Sequence, residues 1–231
     1  MLECNNIGKS FGGVVALESV SLKTEKGSVF GIIGPNGSGK STLIDIISGF
    51  LKPDRGQVLL SGMKITRMAP SKISRLGLAR TFQITKSFIG MTLIENLIVA
   101  YPDGVCREAS ELAVSILSRL KLDRLQDEKA ISLSYGQQKL LGIGRLMMRN
   151  PNTILLDEPF AGINPVVQEE IVSLLTKLRE SVAIVLVEHD MKMITRVCDR
   201  IIALDRGKII AEGVPSEVLK DRKVVDAYLG G

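Results

Sequence analysis

The chain has 231 residues, 45% of them apolar and 24% charged, with 22 Gly, 8 Pro and no Trp. These are ordinary values for a globular protein and exclude a disordered, collagen-like or disulfide-scaffold chain. The 30 Lys and Arg outnumber the 25 Asp and Glu to give a formal charge of +5. The charges alternate in sign without a long basic run, so no direct nucleic-acid partner is expected.

Cys4, Cys106 and Cys198 are far apart and form no CxxC pair. They are expected to be reduced thiols rather than metal ligands. No stretch reaches the roughly 20 apolar residues of a bilayer-spanning helix. The start, Met1-Leu-Glu-Cys-Asn-Asn, lacks the basic and apolar regions of a signal peptide. A membrane role is therefore expected to come through a partner.

Leu2 to Phe11 and Val14 to Lys23 alternate as two strands around the Gly12-Gly13 turn. Val29 to Ile33 is an apolar run suited to a strand buried on both faces. A glycine-rich loop follows, then a helix over Lys40 to Gly49. Gln57 to Leu60 and Lys64 to Ile65 flank the turn Ser61-Gly62. Pro70 to Leu76 predicts a short helix and Leu78 to Phe82 a strand. From about residue 93 to 150 the pattern is mostly helical, clearest over Glu108 to Leu120. Strands return at Thr153 to Leu156 and Val182 to Val187, with a helix over Pro165 to Arg179 between them and Pro165 in its first turn. Asp199 to Leu204 and Lys208 to Glu212 form a hairpin at Arg206-Gly207. Pro215 to Leu219 and Arg222 to Leu229 predict closing helices. Strands alternating with helices imply an α/β fold with a mostly parallel sheet covered on both faces. The chain is expected to be one domain, residues 1–231, with the helical region 93–150 inserted between two halves of the sheet.

Gly34-Pro35-Asn36-Gly37-Ser38-Gly39-Lys40-Ser41 matches G-x-x-x-x-G-K-[ST] between a strand and a helix. Its glycines let successive N–H groups face one centre, and the helix N-terminus adds partial positive charge. Lys40 is placed to reach β and γ phosphates and Ser41 to hold Mg²⁺. The apolar strand Thr153 to Leu156 ends at Asp157-Glu158-Pro159. Asp157 suits the Mg²⁺ shell, and Glu158, facing elsewhere on an extended chain, suits a general base for an attacking water. These pieces define a nucleotide triphosphatase, with a small-molecule kinase still open. The Asn-Lys-x-Asp guanine motif is absent.

Leu133-Ser134-Tyr135-Gly136-Gln137 opens a helical stretch and resembles the Leu-Ser-Gly-Gly-Gln signature of ABC ATPases. Gln83, His189 and Phe11 stand at the expected places in chain order. The resemblance covers essentially the whole chain. It implies a P-loop NTPase fold of ABC type, with an antiparallel β subdomain and an inserted helical subdomain. It also implies a head-to-tail pair of ATPase chains in which the signature of one faces the phosphate loop of the other. Ser134 suits a helix N-cap there, and Gly136 close backbone approach. Phe11 would stack on adenine and Thr42 touch the α-phosphate. Gln83 would reach Mg²⁺ and the attacking water, Ser134, Gly136 and Gln137 would bind the second nucleotide, and Glu158 would be the base. His189 would hold the γ-phosphate and position Glu158. Two positions depart from the family pattern. Tyr135 stands where Gly is usual, and Asn164 replaces an acid, keeping hydrogen bonding without the charge.

Leu78-Ala-Arg-Thr-Phe-Gln83, Phe88, Met91-Thr-Leu-Ile-Glu-Asn-Leu97, the Gly-Gln-Gln of 136 to 138 and Asp226-Ala-Tyr-Leu-Gly230 look like the ATP-binding subunit of branched-chain amino acid importers. The helical region is short for that subunit. The resemblance implies ATP and Mg²⁺, a second ATPase subunit (the same chain or a different one), permease subunits docking near Gln83 to Met91, and a peripheral place on the cytoplasmic face of the membrane. Urea-import and lipopolysaccharide-export ATPases share much of this pattern. A soluble ABC ATPase acting on nucleic acid would need a second cassette, a coiled-coil insertion or a basic stripe.

Overall fold

The computed structural model describes residues 1–81 and 87–229. Its strands are β1 Leu2–Phe11, β2 Val14–Thr24, β3 Val29–Ile33, β4 Arg55–Leu60, β5 Met63–Lys64, β6 Leu78–Arg80, β7 Thr153–Asp157, β8 Ala183–Val187, β9 Arg200–Asp205 and β10 Lys208–Gly213. Its α-helices are α1 Lys40–Ile47, α2 Pro70–Arg75, α3 Leu93–Ile98, α4 Arg107–Arg119, α5 Tyr135–Met147, α6 Pro165–Leu178, α7 Met191–Val197, α8 Pro215–Val218 and α9 Arg222–Leu229. Single 3₁₀ turns occupy Asp123–Leu125 and Ala130–Ser132. The expected elements form, with shifts of one or two residues at their ends. The expected strand to Phe82 ends at Arg80 instead, with Thr81 already outside it, and Phe82 lies outside the described residues.

Two sheets result. The first is antiparallel, in the order β2-β1-β4-β5, and the second runs β10-β9-β3-β8-β7-β6. In the second, β3, β6, β7, β8 and β9 are parallel and β10 is an antiparallel edge. The period-2 geometry of strands explains how it is covered. Val29, Ile33, Ile154, Leu156, Ile184, Leu186, Ile201 and Ala203 enter one core, shared with α3 to α9. The alternate residues Phe30, Ile32, Leu155, Val185, Val187, Ile202 and Leu204 enter the other, with α1 and the antiparallel sheet. Both faces are therefore dry, which is why these strands are apolar throughout. Each fully buried Leu, Ile or Val there contributes about 1.5–3 kcal/mol.

The chain leaves the second sheet after β6 and returns as its neighbour β7. Among the described residues between them, helices and turns occur and no strand. Thr92 closes a capping box with Glu95 at the start of α3, which fixes where this region begins. Gly144 lets α5 approach its neighbours: a Cβ there would lie 2.7 Å from Leu120 and 3.2 Å from Ile116 and Leu97.

A candidate nucleotide site at the strand ends

The loop between β3 and α1 curls through left-handed backbone at Gly37 (φ 78°) and Gly39 (φ 110°). Gly39 also has no room for a side chain, since a Cβ would lie 2.6 Å from the Ala16 carbonyl. Only glycine meets both demands. The β9–β10 turn pins the loop from outside, with Gly207 N–H donating to the Ser38 carbonyl at 2.9 Å. Half-buried Tyr228 of α9 sets its hydroxyl beside the backbone of Gly34.

Lys40 folds back over the loop and donates to the carbonyls of Gly34 at 2.6 Å and Pro35 at 2.9 Å. Burial lowers its pKa, while Glu158 and Asp157 act in the opposite sense. The three charges therefore share one site. Ser41 is exposed and Thr42 half-buried on the first turn of α1. Phe11 is 45% exposed with Lys9 Nζ 5.3 Å from its ring centre, which leaves the ring available for stacking rather than part of the core.

Asp157 ends β7. Burial pushes its carboxyl above the usual carboxylate range, and the guanidinium of Arg80 pulls it down. Arg80 was not singled out in the sequence. It pairs with Asp45 at 2.6 Å and Asp157 at 3.5 Å and donates to Ser48 at 2.9 Å. It thereby ties α1 to the end of β7. The available signal was a lone charge on an otherwise apolar strand, β6.

Glu158 follows in a left-handed conformation, φ 49°, rare for a residue with a Cβ. The extended backbone expected at Glu158 is therefore replaced by a turn. His189, on the loop after β8, sits with Nδ1 3.7 Å from Glu158 Oε1 and 3.7 Å from Glu188 Oε2. These separations are contacts between neighbours, too long for hydrogen bonds. Glu188, also not singled out in the sequence, is 1% exposed. It accepts from Phe160 N–H at 2.9 Å, His189 N–H at 2.9 Å and Asp190 N–H at 3.3 Å. One buried carboxylate thus joins the loop after Glu158 to the loop carrying His189.

Ser134 caps α5. It accepts from Gln137 N–H at 3.3 Å, while Gln137 Oε1 accepts from Ser134 N–H at 2.9 Å. Ser134 and Tyr135 are exposed and Gln137 is half-buried, so this helix end presents its free N–H groups outward. Gly136 is turned inward instead, where a Cβ would lie 3.0 Å from Val167. Its smallness is used in packing α5 on α6. Asn164 caps α6 by accepting from Val167 N–H at 3.0 Å, a role the amide performs without the acid's charge. Gln83 lies outside the described residues. Of the segment expected to dock permeases, Phe88, Ile89 and Met91 are exposed.

A glycine-rich loop between a parallel strand and a helix, facing two carboxylates at the end of a nearby strand, defines a P-loop nucleotide-binding protein. The sequence matches the ABC transporter family over residues 17–161 and the branched-chain amino acid ATP-binding cassette transporter family over 208–231. The chain belongs to the ABC transporter ATP-binding cassettes, and its enzyme class is the ABC ATPase. It is 40% identical to the probable branched-chain amino acid transport ATP-binding protein LivG of Archaeoglobus fulgidus, covering 100% of this chain and 95% of that one. It is 37% identical to the high-affinity branched-chain amino acid transport ATP-binding protein BraF of Pseudomonas aeruginosa, over 100% and 98%. Its fold matches the ADP conformation of the ATP-binding cassette MJ1267 with a TM-score of 0.93 at 39% identity, over 100% and 99% of the two chains. The dimeric ADP- and phosphate-bound cassette MJ0796 matches with a TM-score of 0.81 at 30% identity, over 93% and 99%.

Proposed function

We propose that this chain is the ATP-hydrolysing subunit of an importer for branched-chain amino acids, one domain whose helical lobe, residues 93–150, is inserted between β6 and β7. The carrying observation is the joint match of the cassette and of the branched-chain-specific C-terminal segment, with relatives aligned over the whole chain. Among the described residues no helix is long and apolar enough to cross a membrane. The chain acts peripherally on permease subunits at the cytoplasmic face, which dock near Gln83 to Met91.

In this reading the loop from Gly34 to Ser41, with Thr42, binds the phosphates and Phe11 stacks on adenine. Lys40 exchanges the Gly34 and Pro35 carbonyls for phosphate oxygens. The exposed hydroxyl of Ser41 and the carboxylate of Asp157 are an oxygen donor set suited to a hard cation, and with Gln83 they would hold Mg²⁺. That ion would neutralise phosphate charge. Glu158 accepts the proton of the attacking water, and His189 holds the γ-phosphate and orients Glu158. The N-terminal end of α5, at Ser134, Gly136 and Gln137, completes the site of a second ATPase subunit. A single chain therefore holds two incomplete halves, and activity requires a dimer.

The test is reconstitution in vesicles with branched-chain amino acid permease subunits and a binding protein. Uptake and ATP hydrolysis stimulated by leucine, isoleucine or valine is the expected result. Stimulation by urea alone, or failure to associate with any permease, overturns the reading.

A further inference from the structure

Lys139 lies in the second turn of α5 and is 6% exposed, an unusual place for an ammonium group. Its Nζ donates to the carbonyl of Glu158 at 2.6 Å and lies 5.3 Å from the ring centre of Tyr135. Burial works against its charge. The negative charges of Glu188, Glu158 and Asp157 work in its favour. An apolar side chain would fill this space without the desolvation cost, which is several kcal/mol for an unpaired buried ion. The position therefore carries a requirement beyond packing.

The acceptor of that bond is informative. Glu158 holds a left-handed backbone, a conformation that costs on the order of 1–3 kcal/mol and persists only where its surroundings impose it. Its N–H donates to the Val187 carbonyl at 2.9 Å, and its carbonyl takes Lys139. The sheet holds one side of the residue and α5 the other. A second contact parallels the first: a Cβ on Gly162 would lie 3.3 Å from the Tyr135 ring. Two residues of α5, one turn apart, thus bear on the loop that begins at Glu158. The capping box at Ser134 ties this helix end by two reciprocal hydrogen bonds.

We infer that Lys139 is a positioning residue that ties the signature end of α5 to the backbone of Glu158 in the same chain, so that engaging nucleotide at one site of the dimer sets the base of the other. The inference rests on the head-to-tail dimer proposed above. Closure moves Ser134 against the partner's nucleotide, the helix carries Lys139 with it, and the Glu158 carbonyl follows.

The experiment uses the full chain as Lys139→Met and Lys139→Arg, with Tm, nucleotide affinity, kcat, KM and the Hill coefficient for ATP measured on each. Lys139→Met is expected to lower kcat about tenfold or more while KM and nucleotide affinity stay within about twofold, and to bring the Hill coefficient towards unity. Lys139→Arg, which keeps charge and donors, is expected to restore most of kcat and cooperativity. Unchanged kcat and cooperativity in Lys139→Met overturns the inference, as does a loss that Arg fails to rescue or that KM and Tm share in proportion. ATP-dependent dimerisation of Glu158→Gln separates the two levels. If that dimer is absent, the underlying dimer reading fails. If it forms and Lys139→Met remains cooperative, this inference alone fails.

Discussion

The carboxylate of Glu188 accepts the backbone N–H of Phe160 at 2.9 Å, joining residues 28 positions apart at the ends of neighbouring strands. The same side chain accepts the N–H groups of His189 and Asp190. The loop after the proposed base and the loop carrying the lone histidine are therefore one hydrogen-bonded unit. Glu188→Gln turns an NH₂ towards one set of these donors. Leaving a buried donor unmatched costs about 1–3 kcal/mol, so urea unfolding should show a loss of that size, with a fall in kcat. Unchanged stability and turnover would contradict the clamp.

Glu158→Gln keeps the shape of the proposed base and removes its proton affinity. General-base catalysis contributes about 10²–10⁴-fold, and turnover should fall within that range while ATP binding persists. ATP-dependent dimers of this variant should be visible by size-exclusion chromatography. Normal turnover, measured with the permease partner present, would remove Glu158 from the role.

Ser134 is exposed at the N-terminus of α5, remote in sequence from the phosphate loop of its own chain. Ser134→Arg should leave nucleotide binding to the monomer within about twofold of the parent, since those contacts are untouched. ATPase activity should be abolished, because a bulky cation blocks the dimer's shared site. Residual activity near the parent's would mean that α5 does not act across a dimer.

Asp157 carries a pH-dependent penalty. Burial, with Glu158 adding to it and Arg80 opposing it, raises its pKa in the folded chain. The folded state then binds more protons than the unfolded state between the ordinary carboxylate value and the raised one. The stability contributed at low pH is lost as pH rises through that window. Asp157→Asn should therefore raise the Tm of the nucleotide-free protein at neutral pH, and the gain should shrink on acidification through the carboxylate range. Stabilisation by Mg²⁺-ATP should disappear in the same variant. A lower nucleotide-free Tm at neutral pH would refute the assignment of a penalty.

Asn164 is the N-cap of α6 through its side-chain oxygen. Asn164→Ala should cost about 1 kcal/mol of stability, and Asn164→Asp, a residue of equal capping ability, should cost little. Chemical denaturation of the two variants separates a capping role from a requirement for the neutral amide.

Much of this protein is written locally. The glycines and Lys40 of the phosphate loop and the apolar run ending at Asp157 depend on neighbours a few residues away. The Ser134 cap and the strand–helix alternation are equally local, so they could be read directly. At Asn164, where the amide keeps the hydrogen bonding of an acid without its charge, the structure adds the cap on α6. The order β10-β9-β3-β8-β7-β6 is not carried by periodicity, because the central strands β3, β7 and β8 are similarly apolar. That order alone sets β7 beside β8, and so places Glu188 under Phe160 and Glu158 near His189. Arg80 reaching Asp45 and Asp157, and Lys139 reaching the Glu158 carbonyl, likewise join residues whose chemistry is visible in the sequence but whose partners are chosen only by packing. The motifs along the chain were enough to define a nucleotide-binding cassette and to nominate its reacting groups. The tertiary structure decided how those groups are held, because buried charges take their partners from across the fold rather than along the chain.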